Sequence, residues 1–495
     1  MKKATINVDP TYIIDEVSPL IFGGFIEHLG RCVYEGVYDP DSSVADEDGF
    51  RTDVMRALGE LKMTIMRYPG GNFASGYHWE DGVGPREQRP TVRELAWQSI
   101  ETNAFGTDEF LQLCGKMGWE PRLAVNLGTG SPEEARNWVE YCNSKAGTKY
   151  ADQRAKNGVK EPHGVKYWCL GNEMDGPWQL GHVPAKEYAI RAQQAAKMMK
   201  DCDRNIEMVA CGSSGTGVAT FPEWDREVLE YIGTLAPYVS LHKYVGNPND
   251  DPFEYFATGT KVDRQIETID STCRYVQSVN RSKRRHYLCF DEWNVWYKDM
   301  TMDGAGKVAP ALIEEDYNLE DALVVGQFLN SFIRHADVVK VANLAQVVNV
   351  IAPLKTRGND LLKQTTFHAF RLFSERKSGR SLRLGVSGDS FDSGHGSISY
   401  LDASCIYSTE QNSLTLFMIN LSPHDKMTLT VNLHGLEATS VTGKILHHED
   451  LKALNTFENP EIVVTDQFSE VSLNSTDLMA ELPAASLVRL DVKLG

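Results

Sequence analysis

The sequence predicts an α/β fold: a (β/α)8 TIM barrel followed by a C-terminal antiparallel β-sandwich. Three observations lead there. Eight short apolar runs recur through most of the chain with helical segments between them. Continuous apolar strands alternating with helices define a parallel sheet covered on both faces, and eight of them close it into a barrel. Polar residues recur where those runs end, as they do on the catalytic rim of a barrel. Near residue 376 the texture changes to period-two alternation without helices, which defines a separate antiparallel region.

In chain order, a strand-like lead from Ala4 to Val8 precedes the eight runs. These are Ile21 to Ile26, Thr64 to Arg67, Pro121 to Asn126, Tyr167 to Leu170, Met208 to Cys211, Tyr238 to Leu241, Tyr287 to Phe290 and Val339 to Leu344. Between them, Asp53 to Lys62 carries Val54, Leu58 and Leu61 at the spacing of an amphipathic helix. Ser131, Pro132 and Glu134 supply an N-cap, an N1 proline and an N3 acid, a capping box opening the helix through Trp138 and Tyr141. Longer helices are expected from Pro184 to Lys200 and from Leu319 to His335, the latter with a core stripe of Leu323, Leu329 and Ile333. Past the Gly-, Ser- and Asp-rich turns around Gly385 to Gly396, the alternating runs are Ser413 to Leu421, Met427 to Leu433 and Leu487 to Val492.

With 495 residues the chain accommodates a barrel and a smaller second unit. A net charge of −18 disfavours nucleic acid and anionic membranes, which would repel it, and favours a neutral or cationic substrate. The N-terminal stretch MKKATINVDPTYII has no continuous apolar core and no small-residue cleavage site, so a cytoplasmic location is expected. Nine cysteines without a C-x-x-C pair read as reduced thiols. No H-x-x-x-H or H-x-H pair suggests a metal, and Ser213-Ser214-Gly215 lacks the nucleophile elbow of serine hydrolases. Nucleotide-binding glycine motifs are missing as well, so neither metal nor organic cofactor is expected.

The chemistry collects where the runs end. Glu27 and His28 follow the first, Arg67 to Asn72 the second, and Asn126 ends the third. Asn172 and Glu173 follow the fourth, His242 and Tyr244 the sixth, Glu292 the seventh and Gln346 the eighth, with Trp97, Trp178 and Trp296 nearby. Amides and carboxylates bind sugar hydroxyls in pairs, and indole faces pack on the apolar face of a sugar. Two carboxylates, Glu173 and Glu292, at two strand ends supply the acid/base and nucleophile of glycoside cleavage.

Five ordered motifs carry a resemblance that spans essentially the whole chain. They are Gly24-Phe-Ile-Glu-His-Leu-Gly30, Met66-Arg-Tyr-Pro-Gly-Gly-Asn-Phe73, Leu170-Gly-Asn-Glu-Met-Asp-Gly-Pro177, Phe290-Asp-Glu-Trp-Asn-Val295 and Asn343-Leu-Ala-Gln-Val-Val-Asn349. Together they resemble glycoside hydrolase family 51, the intracellular α-L-arabinofuranosidases. The resemblance implies Glu173 as acid/base and Glu292 as nucleophile of a retaining, exo-acting enzyme. It implies that Glu27, Arg67, Asn72, Asn172, Tyr244 and Gln346 line the furanose pocket, and that Trp97, Trp178 and Trp296 shape its entrance. It further implies a jelly-roll-like sandwich over 376–495 joined by an N-terminal strand within 1–14, a catalytic barrel over 15–375, and a homohexamer acting on small oligosaccharides. One position departs from it: Lys243 stands between His242 and Tyr244, where the resemblance implies an uncharged residue. A β-xylosidase or an endoglucanase of the same family, or a non-catalytic sugar-binding protein, are the competing readings.

Overall fold

The computed structural model describes every residue except Ser475. Its barrel strands are Gly23–Phe25, Ile65–Tyr68, Glu120–Ala124, Tyr167–Leu170, Glu207–Ala210, Tyr238–Val245, Tyr287–Val295 and Val339–Ala345. Each pairs in parallel with the next, and the eighth returns to the first through Asn343 opposite Gly23. All eight apolar runs therefore become barrel strands in chain order. The first and eighth pack closely enough that a Cβ on Gly23 would lie 2.5 Å from the Ala342 carbonyl oxygen, so only glycine fits there.

The sixth and seventh strands run past their apolar runs to Val245 and Val295. His242 pairs with Glu292 and Tyr244 with Asn294, so the polar residues are part of the ladder and not of a loop after it. That extension fixes the backbone beneath three of the residues on which the site depends. The third strand stops at Ala124, leaving Asn126 in the following turn.

The helices form largely where periodicity places them: Thr52–Glu60, Pro132–Asn143, Ala185–Cys202 and Leu319–Arg334. Ser131 Oγ accepts the Glu134 N–H at 3.0 Å, but the reciprocal half of the expected capping box is missing. The Glu134 carboxylate instead meets His78 Nδ1 at 3.0 Å, a tertiary partner that outcompetes the local one. In Leu319–Arg334 every residue from Leu319 to Ile333 is buried, not one stripe. The barrel lies on one side of this helix and the strands Leu401–Ser408 and Ser413–Asn420 on the other.

Apart from three two-stranded ribbons, the remaining strands form two larger sheets. One has five strands in the order Gly385–Gly388, Lys2–Val8, Met427–Leu433, Asp477–Leu482 and Val471–Asn474. The other has seven: Ile13–Glu16, Arg380–Leu382, Leu401–Ser408, Ser413–Asn420, Ser486–Leu494, Ala438–His447 and Thr465–Phe468. Ile6, Leu429 and Val431 of the first and Leu416 and Leu490 of the second are fully buried, each contributing about 1.5–3 kcal/mol. One pairing departs from the antiparallel expectation: Lys2–Val8 runs parallel to Met427–Leu433. A strand arriving from the opposite end of the chain is not constrained by a hairpin, so either direction is open to it. All nine cysteines are free thiols, and eight are buried.

Candidate active site

The carboxylates expected at the fourth and seventh strands face one cavity of about 630 Å³ at the barrel mouth. Glu27, Asn72, Trp97, Trp178, Tyr244, Trp296 and Gln346 also line it. Arg67 and Asn172, the other two residues expected in the pocket, are buried beneath these side chains.

Glu173 sits in the turn that ends the fourth strand. Gly171 has φ +90° and Glu173 itself φ +44°, a conformation that non-glycine residues rarely adopt and that the surrounding contacts must hold. Its Oε1 faces His242 Nδ1 at 2.9 Å, and its Oε2 accepts from Trp178 Nε1 at 2.7 Å. Burial, and then the charge of Glu292, raise its pKa above the ordinary glutamate range, against the opposing pull of these two contacts.

Glu292 is held differently. Arg67 Nη1 donates to its Oε1 at 2.8 Å and the Tyr244 hydroxyl to its Oε2 at 3.0 Å. Arg67 also donates to Asn172 Oδ1 at 2.5 Å, tying the strand that carries Glu292 to the one that carries Glu173. The two carboxylates thus have unlike partners, a guanidinium and a hydroxyl on Glu292, an imidazole and an indole N–H on Glu173.

Glu27 accepts from the Phe73 N–H at 3.0 Å, Trp97 Nε1 at 3.1 Å and Gln346 Nε2 at 3.0 Å. Burial and the charge of Glu292 push its pKa up to about 8, so it is largely protonated at neutral pH. Trp296 stands edge-on to Tyr244 with ring centroids 5.6 Å apart, and Trp178 is 54% exposed at the opening. Trp97 is buried against Glu27, a floor residue more than an entrance one.

Beneath these residues lies a charge network that the strand-end reading did not assemble. Asp291 Oδ1 meets His242 Nε2 at 3.1 Å, while its Oδ2 lies 3.4 Å from Arg122 and 3.8 Å from Arg67. Burial opposes its ionisation, but Arg67, Arg122 and His242 overcome that and hold it well below the usual carboxylate range. His242, buried between Asp291, Glu173 and Glu292, has its pKa raised well above normal by those charges despite the cost of burial. The signal was present as an arginine inside an apolar run, at Arg122, and as an acid immediately before Glu292. His28 and Asn126 lie outside the pocket. His28 joins Tyr68 at 2.8 Å and Glu101 at 2.8 Å, and Asn126 holds the turn through Thr129 and the Tyr77 carbonyl.

One carboxylate oxygen each from Glu173 and Glu292 and one His242 nitrogen lie within 4.8 Å of one another. Sequence spacing showed no such trio, because its members come from the turn after the fourth strand and from the sixth and seventh strands.

A closed parallel barrel that brings two unlike carboxylates to one cavity, with amides and indoles around them, defines the class as barrel glycoside hydrolase. Comparison with known proteins narrows the class. Residues 57–258 match the α-L-arabinofuranosidase 1 domain and residues 291–486 the α-L-arabinofuranosidase C-terminal domain. An intracellular exo-α-(1→5)-L-arabinofuranosidase of Bacillus subtilis is 46% identical over 94% of both chains. One from Acetivibrio thermocellus is 44% identical over 93% of this chain and 94% of its own. A family 51 α-L-arabinofuranosidase structure from Bifidobacterium longum superimposes with a TM-score of 0.95, at 36% identity over 99% of this chain and 100% of that one. The chain belongs to the α-L-arabinofuranosidases of glycoside hydrolase family 51.

Proposed function

We propose that this protein is a retaining, exo-acting α-L-arabinofuranosidase that releases terminal arabinofuranosyl units from arabino- and arabinoxylo-oligosaccharides in the cytoplasm. The observation that carries the retaining mechanism is the separation of Glu173 and Glu292, whose nearest oxygens approach within 4.8 Å. A double displacement brings two carboxyls to about 5–5.5 Å, whereas an inverting site leaves about 6.5–9.5 Å for water. The names of the B. subtilis and A. thermocellus relatives support exo action on arabinofuranosides.

In the first half-reaction Glu173 gives its proton to the leaving oxygen while Glu292, ionised beside Arg67, attacks the anomeric carbon. The glycosyl ester carries no charge on Glu292, so the repulsion that raises the pKa of Glu173 disappears. Glu173 then takes a proton from water and arabinose leaves. His242 bridges Glu173 and the anion of Asp291, and so orients the carboxyl through both half-reactions. Glu27, Asn72 and Gln346 take the sugar hydroxyls, with the buried Asn172 behind Asn72, Trp97 beneath, Tyr244 beside the nucleophile, and Trp178 and Trp296 flanking the leaving group.

A panel of 4-nitrophenyl glycosides tests this reading. The α-L-arabinofuranoside should be cleaved at least ~10-fold faster than the β-D-xyloside or β-D-glucoside, since one ring misfit costs the enzyme about that much. A faster xyloside or glucoside would make it a xylosidase or glucanase instead.

A further inference from the structure

On the leaving-group side of the cavity one cation has no counter-ion. Lys243, the departure from the family pattern, lies on the sixth barrel strand and lines the cavity. Its Nζ donates to Thr216 Oγ1 at 3.0 Å, and among the described residues no carboxylate lies within 4.0 Å of it. The neighbouring Lys261 is paired with Glu254 at 2.9 Å. Burial and the charge of Lys261 lower the pKa of Lys243, as they do for an ammonium lacking an anion.

Thr216 belongs to the loop Ser213-Ser-Gly-Thr-Gly217 after the fifth strand. Ser214 donates to Asp175 Oδ2 through its N–H at 2.9 Å and its hydroxyl at 3.1 Å. Asp175 is two residues from Glu173 and three from Trp178, so this loop flanks the segment beside which the leaving sugar must lie. Among the described residues no protein acceptor takes the backbone N–H of Gly215, Thr216 or Gly217. A Cβ at Gly215 or Gly217 would meet nothing within 4 Å, so the space in front of the loop is open. Asp175, beside the loop, is already engaged by Ser214, and Glu292 is engaged by Arg67.

An ammonium and a run of free N–H donors around an open space suit an anion. We propose that Lys243, Thr216 and the Gly215–Gly217 backbone form a subsite for an acidic leaving sugar, so that the enzyme accepts arabinofuranosides attached to a carboxylate-bearing unit of the uronic acid class. The net charge of −18 argues for neutral or cationic substrates, but what the aglycone meets is the local field of Lys243. The inference rests on the arabinofuranosidase reading and on Glu173 marking the leaving-group side.

The test uses two methyl glycosides, of galactose and of galacturonic acid, each bearing one α-L-arabinofuranosyl unit at the same hydroxyl. They differ only in CH2OH against carboxylate at C6. The wild-type enzyme should show kcat/KM about 5- to 10-fold higher for the galacturonate at low salt, with the preference shrinking as salt rises. In Lys243→Met the ratio of the two kcat/KM values should fall to near one, and Lys243→Arg should retain most of it. Expressing the result as a ratio cancels any general effect of the substitution on folding or chemistry. Equal rates in the wild type, or an undiminished ratio in Lys243→Met, would overturn the subsite. If neither compound nor 4-nitrophenyl α-L-arabinofuranoside is cleaved, the arabinofuranosidase reading itself fails, and the subsite with it.

Discussion

In the proposed mechanism Glu173 holds a proton in one half-reaction and lacks it in the next, and its neighbours pull in both directions. Burial and Glu292 favour the neutral acid, whereas the Trp178 N–H and His242 favour the anion. In Trp178→Phe the 2.7 Å donor is gone, so the pKa of Glu173 should rise further while His242, Glu292 and Tyr244 still face it. The basic limb of the kcat/KM profile should move to higher pH, by the loss of one hydrogen bond to the anion. An unmoved or lowered limb would remove Trp178 from any role in setting the acid. Glu27 presents the reverse trade. Its pKa rises from 4.5 to about 8 on folding, so it is stability-neutral below pH 4.5 and increasingly destabilising as pH climbs to 8. Glu27→Gln should therefore stabilise the fold at pH 8 by about 1–3 kcal/mol while lowering kcat/KM. Gln346, whose buried Oε1 has no partner, can turn its amide to meet the new side chain. A lower melting temperature at pH 8 would contradict the assignment.

The sixth and seventh strands show how far elements were legible. Their apolar halves announced themselves as strands, because burial on both faces of a parallel sheet demands a continuous run. Their polar halves, His242 to Val245 and Asp291 to Val295, read as loop because no hydrophobic pattern marks a segment stabilised by ladder pairing and charge. For the same reason Glu292 was found as a strand end while Asp291, which braces it from below, was not. Asp291→Asn should leave Arg67 and Arg122 buried without their shared anion and His242 untethered. The cost should be about 3–5 kcal/mol, read from the denaturant midpoint, with activity falling alongside. A stability within 1 kcal/mol of wild type, on the scale of a surface change, would show that the network carries no net charge of consequence.

At the scale of the whole molecule, alternation of runs and helices sufficed for the barrel, and period-two texture for the sheets behind it. What periodicity could not reveal was long-range pairing, such as Lys2–Val8 entering a sheet beside Met427–Leu433 in parallel. Nor could it show Leu319–Arg334 enclosed on both sides, since amphipathicity reports only a helix with one wet face. We expect the chain to assemble further. Tyr12, Ile13 and Val386 are exposed, and Ile13 and Val386 border one hollow that also carries Asp263, Asp270 and Arg334, a mixed apolar and charged surface of the kind a second copy can cover. Sedimentation should show a species near six times the 55.3 kDa chain mass, and a monomer at micromolar concentration would refute the hexamer.

The assignment of Glu173 as acid/base and Glu292 as nucleophile is tested most directly by azide. Azide needs no general base, so in Glu173→Ala it should attack the glycosyl-enzyme formed from an activated substrate such as the dinitrophenyl arabinofuranoside. The product should be the arabinosyl azide of the substrate's own anomeric configuration. In Glu292→Ala, azide can enter the vacated space and displace the leaving group directly, giving the opposite anomer. The two are distinguished by the anomeric proton in NMR. Retained azide from Glu173→Ala and inverted azide from Glu292→Ala is the result this account predicts; the reverse pattern would show that the two carboxylates have each other's roles.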